Sequence, residues 1–197
     1  MTIFDAEEIL KKVTKNISTD EITYKQYLHK GICKTGPCND KANPSSDLCC
    51  APFIWCVHAS NKLHKLPKHP NCDCYYQDLE IKKAGTISKF QPAPDVWLKM
   101  FGKLPDYYIT KEEAMTKYGW KRGKDLSKLA PKKIIGGNIY YNKEHILPEN
   151  QGRIWYECDI DYANGNRNSN RLYYSNDGLM FYSPNHLENN VIVYWVK

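Results

Sequence analysis

The chain has 197 residues, 42% hydrophobic and 13% aromatic, with fifteen Tyr and five Trp, which excludes a disordered polymer and allows one domain or two small ones. The net charge of +6 is spread over both halves, 15 Lys/Arg against 11 Asp/Glu up to residue 103 and 13 against 11 beyond it, so no basic tail marks a nucleic-acid partner. Met1 to Asn16 carries Asp5, Glu7 and Glu8 without an apolar run of signal-peptide length, and no stretch has the length and apolarity of a membrane span.

In chain order, Phe4, Ile9, Leu10 and Val13 form an apolar stripe that predicts a helix over 4–15. After Leu28 the chain is dense in Gly, Pro, Asn, Asp and Cys, and seven of its eight cysteines lie between Cys33 and Cys74 with His58, His64 and His69 among them. So little apolar surface implies cross-links or a metal, with loops rather than long periodic elements. The cluster marks residues 1–90 as one module and 91–197 as a second, joined through a connector from Gly85 to Pro94 with the boundary near Gln91.

The second module is predicted to open with a short helix, Asp95 to Met100, ending before Gly102. Thr110 then stands three residues before Glu113, the spacing of a capping box, and opens a helix that stops at Gly119. Lys124 to Ala130 reads as a further helical turn. Strands are predicted at 134–141, 153–162, 171–175, 179–183 and 191–196, separated by turn-rich segments. Helices first and strands afterwards is an α+β pattern: helices packed on an antiparallel sheet.

Alternation along 153–162 sets Ile154, Tyr156, Cys158 and Ile160 toward a core and Arg153, Trp155, Glu157, Asp159 and Asp161 toward the other face. Arg171 and Tyr173 share the Glu157 face, Leu172 and Tyr174 the core, and Cys158 is expected as a buried free thiol. Taken singly, Glu157 reads as a solvated strand residue, Arg167 and Arg171 as surface cations, His186 as an exposed loop residue. Taken together they are the parts of a metal-free RNA-cleaving site. A carboxylate takes the proton of a ribose 2′-hydroxyl, a histidine protonates the departing 5′-oxygen, and guanidinium groups hold the phosphate.

The residues also carry a resemblance. Leu104-Pro-Asp-Tyr-Tyr-Ile-Thr-Lys-Glu-Glu-Ala114, Gly119-Trp120, Leu129-Ala-Pro131, Ile135-Gly-Gly-Asn-Ile139, Gly152-Arg153-x-Trp155-x-Glu157-x-Asp159-Ile160-x-Tyr162, Gly165-x-Arg167-Asn168-Ser169-x-Arg171 and Tyr174-Ser175 stand in order. This resembles the barnase-type guanyl-preferring ribonucleases over about half the chain. The resemblance implies Glu157 as general base, His186 as general acid, and Lys111, Arg167 and Arg171 as phosphate ligands. It implies a base-recognition loop at Tyr141, Asn142, Lys143 and Glu144, with Glu144 accepting from a guanine edge. The implied reaction is transphosphorylation of single-stranded RNA to a 2′,3′-cyclic phosphate with no catalytic cofactor; DNA lacks the attacking hydroxyl. Differences from the family fall at Lys143 for arginine, Asn138, also expected among the substrate-binding residues, for an aspartate that helps order the active site, Leu187 for tyrosine and Gly178 for tryptophan.

The Cys-rich module resembles the endings of phage head-morphogenesis proteins and the segment before the toxin domain of bacterial polymorphic toxins, through Cys49-Cys50, Cys56 and His69-Pro-Asn-Cys72-Asp-Cys74. A structural zinc on Cys50, Cys56, Cys72 and Cys74, with His69 as substitute, or disulfides in its place, are both expected. Pairing the two modules implies the toxic part of an interbacterial toxin, a monomer when free, held by an acidic immunity protein. Delivery into a target cell's cytoplasm by a leaderless route, or within a larger toxin, is then expected. The alternative is an RNA-binding or phage-like structural module whose barnase-like part is inactive.

Overall fold

The computed structural model describes residues 24–29, 57–59, 74–89, 94–187 and 194–196. The helix expected over 4–15, the boundary near Gln91 and, of the expected zinc ligands, Cys50, Cys56, Cys72 and His69 lie outside them. Two compact units are present, one holding Glu80–Tyr141 and Gly152–Lys197, the other Asp20–Leu79 and Asn142–Gln151. Among the described residues no helix is long and apolar enough to cross a membrane.

In the second of these units, β1 (Tyr24–His29), β2 (Val57–Ala59) and β3 (Cys74–Asp78) form an antiparallel sheet in the order β2-β1-β3. Two of these strands fall where the sequence reads as loop. Backbone pairing needs no side-chain periodicity, and strands of three and five residues are too short to show one. Cys74 sits in β3 opposite His29.

The other unit is α+β. Helices α1 (Pro94–Phe101) and α2 (Lys111–Tyr118) precede the strand run β6 (Ile134–Tyr140), β7 (Trp155–Asp159), β8 (Arg171–Ser175) and β9 (Met180–Ser183). With β4 (Ile81–Lys82), β5 (Tyr108–Ile109) and β10 (Tyr194–Val196) they make a sheet of order β4-β10-β9-β8-β7-β6-β5. Neighbours are antiparallel from β10 to β6, and the short edge strands β4 and β5 add parallel pairs. Residues 85–89, read as part of a connector, pack on this unit: Ile87 is in its core, Gly85 N–H donates to Asp95 Oδ2 at 2.6 Å, and Lys89 N–H donates to Asp161 Oδ1 at 2.7 Å.

Helix α2 forms where its caps dictate. Thr110 Oγ1 accepts from the Glu113 N–H at 3.1 Å, the Glu113 carboxylate accepts from the Thr110 N–H at 2.9 Å, and Gly119 ends the helix at φ 65°. These contacts satisfy amide groups that the first turn otherwise leaves orphaned, worth roughly 1 kcal/mol per cap. The turn expected over 124–130 is one helical-type turn, with Ala130 N–H on Leu126 O at 2.8 Å, and no longer helix forms there.

The core lies in two clusters. Ala114, Trp120, Leu126, Ile135 and Tyr162 pack around α2, and Ile87, Cys158, Ile160, Leu172 and Met180 pack on one sheet face. Cys158 is a buried free thiol, as the alternation predicts. Gly136 lets β5 and β7 close on β6: a Cβ there would stand 2.4 Å from Tyr108 Cδ1 and 2.6 Å from Cys158 Cβ.

Strand β7 departs from its sequence reading in two ways. It is shorter, because Asp161 takes φ 57° and leaves extended geometry. Its second face is also buried: Trp155, Glu157 and Asp159 are enclosed, while Ile154, assigned to the core, is 43% exposed. Alternation separates two faces but does not reveal that both are covered.

Candidate active site

Glu157 stands mid-strand in β7, opposite Asn138 of β6 and Tyr173 of β8, on one face of the sheet. Its side chain is only 8% exposed, so it is no solvated strand residue. The partner that makes this burial tolerable comes from α2. Lys111 Nζ donates to Glu157 Oε1 at 2.6 Å. A lysine in the first turn opposes the helix dipole, and the carboxylate offsets that cost. The helix start is tied to the same strands, since the Lys111 N–H donates to Asn138 Oδ1 at 2.9 Å. Asn138 reaches this position across a bulge between Gly136 and Asn138, where Gly137 takes φ 82°. The amide thus positions Lys111.

Arg167 and Arg171 are not surface cations. Asp159, 1% exposed and two residues beyond Glu157 on the same face, holds both. Arg167 donates Nε to Oδ2 and Nη2 to Oδ1, each at 2.6 Å, the bidentate fork that fixes a guanidinium plane. Arg171 Nε stands 3.2 Å from Oδ1, at ion-pair distance but without hydrogen-bond alignment, and its Nη1 donates to Asn170 O at 2.7 Å. Burial opposes the Arg167 charge, yet the bonds and charge of Asp159 outweigh it and hold the group above its ordinary value. For Arg171 burial dominates and lowers the value. The sequence reading placed Asp159 on this face without giving it a task. Its signal was the two-residue spacing from Glu157 toward the register of Arg171.

His186 follows β9 in a turn. Its Nε2 lies 3.6 Å from Glu157 Oε2, and its side chain is 44% exposed. His186 and Leu187 both have positive φ, 61° and 58°. Two successive non-glycine residues in that region are strained, and strain of this kind persists where the surroundings over-determine it. The surroundings here are Ser183, fully buried, whose Oγ accepts from the Leu187 N–H at 2.9 Å, and Leu187, which is itself buried.

The site therefore brings together Lys111, Glu157, Arg167, Arg171 and His186, with Asn138 at its edge. Tyr141 is 76% exposed. Within the other unit, Asn142 is buried at φ 48° and spends its side chain on the loop: Nδ2 donates to Leu147 O at 2.9 Å and Oδ1 accepts from Leu147 N–H at 3.0 Å. This organises the turn that presents Lys143 and Glu144, both exposed. Among the described residues no group of three or more His, Cys, Asp or Glu side chains is placed to hold a metal ion.

Comparison with known proteins gives the arrangement its context. A family model described as ribonuclease matches residues 99–192, a span that contains all five of the assembled residues. The ribonuclease of Heyndrickxia coagulans is 43% identical over 101 residues, covering 51% of this chain and 91% of that protein. The chain belongs to this ribonuclease family. Ribonucleases of Bacillus intermedius and Bacillus pumilus are each 40% identical over 108 residues, 54% of this chain. The chain spans 65% of the length of those two relatives. The ribonuclease match thus begins within α1 and runs past β9.

Proposed function

We propose that this chain is an endoribonuclease that cleaves single-stranded RNA by transphosphorylation, and that it serves as the toxic part of an interbacterial toxin. The observation that carries the chemistry is the pairing of one buried carboxylate, Glu157, with a lysine at 2.6 Å and a histidine at 3.6 Å on its two oxygens. Glu157 takes the proton of the ribose 2′-hydroxyl as that oxygen attacks phosphorus. His186 gives a proton to the departing 5′-oxygen, and a 2′,3′-cyclic phosphate forms. Lys111, Arg167 and Arg171 neutralise the charge that builds on the phosphoryl oxygens; the Asp159 fork holds Arg167 in place before substrate arrives. Pre-orientation of this sort lowers a barrier without reorganisation during the reaction.

Guanine preference rests on the turn organised by Asn142, from which Glu144 and neighbouring amides meet a base edge. The toxin reading rests on the Cys-rich first module together with the family of the second, and its partner is an acidic immunity protein that covers the cationic site. A structural zinc or disulfides would hold the Cys-rich module.

Cleavage of a defined RNA and its all-deoxy counterpart tests the chemistry, with Glu157→Ala and His186→Ala as controls. Each variant is expected to lose about 10²- to 10⁴-fold in rate, the usual contribution of a positioned acid or base. Undiminished cleavage by both variants, or cutting of the DNA, would overturn it.

A further inference from the structure

The row Asn138, Glu157, Tyr173 across β6, β7 and β8 holds two buried hydrogen-bond donors without an acceptor, Asn138 Nδ2 and the Tyr173 hydroxyl, on the two strands that flank the carboxylate. Tyr173 is the more informative. It is fully buried, and an unmet hydroxyl in such a place is costly unless some state of the protein satisfies it.

Its ring position narrows what that state is. Tyr173 and Tyr140 lie on β8 and β6, on either side of β7, strands whose backbones are about 9.5 Å apart at ordinary sheet spacing. Yet their ring centroids are 4.7 Å apart. The two side chains therefore meet above β7, over the stretch that bears Trp155 and the Glu157 carboxylate. The phenol is pushed well above its ordinary value, first by burial and next by the negative charge of Glu157, so it stays protonated and can only donate toward that charge.

We infer that Tyr173 is a positioning residue for Glu157: its hydroxyl becomes the donor to the carboxylate when a substrate phosphate draws Lys111 and His186 away. The inference rests on the ribonuclease reading above. In the free protein Lys111 and His186 occupy the two carboxylate oxygens. Lys111 is assigned to the phosphate and His186 to the leaving group, so the arriving substrate competes for both at the moment Glu157 must be ionised to act as base. A fresh donor that is already desolvated keeps it so. Among the described residues the remaining charged groups about Glu157 are Arg167 and Arg171, from the chain entering β8, and Asp159 on β7, which is neutralised by those same arginines.

The test is Tyr173→Phe in the full chain, which removes one oxygen and keeps the ring. The acidic limb of the kcat profile is expected to move up by about one pH unit and kcat at mildly acidic pH to fall about tenfold, with KM nearly unchanged. The acidic limb of kcat/KM, which reports the free enzyme with Lys111 on Glu157, stays in place. The melting temperature holds or rises, because an unsatisfied hydroxyl is gone. Unchanged kcat and limb would overturn the inference, as would a fall in melting temperature that accounts for the lost activity. Glu157→Ala run alongside separates the two readings: if it cleaves as the parent does, the base assignment fails; if it is inactive while Tyr173→Phe is normal, only the role of Tyr173 fails.

Discussion

On one face of β7 and β8, Cys158, Ile160 and Leu172 pack among Ile87 and Met180; on the other, Glu157, Asp159 and Arg171 are as deeply enclosed. Nothing but side-chain chemistry separates the two faces, since they share backbone, register and burial. The apolar face gains stability with each methylene removed from water. The charged face gains little net stability, because each ion pair must first offset its desolvation. What it gains is order: Asp159 fixes one guanidinium in a bidentate fork and stands 3.2 Å from the other, and Lys111 sits on Glu157 before any substrate is present. One face only holds the sheet together; the other, which also buries Trp155, Tyr173 and Phe181, holds groups ready as well.

Breaking the charged face should cost stability and substrate binding together. Asp159→Asn takes the nearest counter-charge from the buried Arg171 and breaks the fork on the half-buried Arg167, and a loss of about 3–5 kcal/mol in denaturant unfolding is expected. In the folded fraction the arginines lose their anchor, so KM for RNA rises as well. Stability loss with an unchanged KM would show that the arginines hold their geometry without Asp159. The apolar face should respond differently. Gly136→Ala sets a methyl against Tyr108 and Cys158, and a cost of about 1–3 kcal/mol is expected with KM kept once the protein is folded. A rise in KM as large as that from Asp159→Asn would erase the distinction between the faces.

A smaller effect sharpens the comparison, because Asp95 is a buried acid outside both faces. Burial raises its carboxyl above the ordinary value of 3.8, against the bond it accepts from Gly85 N–H. Since the folded value is the higher one, its contribution to stability is fully present below about pH 4 and is lost as pH rises through the raised value. The stability difference between the parent and Asp95→Asn should therefore shift against the parent as pH climbs through that window. A difference that does not vary with pH would contradict it.

How much of this was legible depended on the range of the forces involved. Thr110, Glu113 and Gly119 bound α2 through contacts a few residues apart, and β8 emerged at Arg171–Ser175 as read. The face assignment of Cys158 and Leu172 also followed from period two. Burial of the Trp155, Glu157 and Asp159 face did not, because the groups that meet it come from other elements: Phe181 of β9 on Trp155, Lys111 of α2 and His186 on Glu157, and Arg167 on Asp159. Nor did the Asp159 clamp, which needs Arg167 to fold back across the turn that joins β7 to β8. The strained geometry of His186 and Leu187 is imposed by the buried Ser183, not by local propensity. The strands of the smaller sheet carry too few residues to announce themselves. Among the site residues, ordered resemblance assembled what single-residue reasoning left as surface groups, while Tyr173, set on the Glu157 face by alternation, acquired a task only from ring geometry and an unmet hydroxyl.

The most direct test of the central claim uses a DNA strand that carries one ribonucleotide, incubated with the protein in chelator. The account predicts a single cut at the phosphate 3′ to that ribose, leaving a 2′,3′-cyclic phosphate, and none after His186→Ala. A cut elsewhere in the strand, or a product ending in a 5′-phosphate, would contradict it.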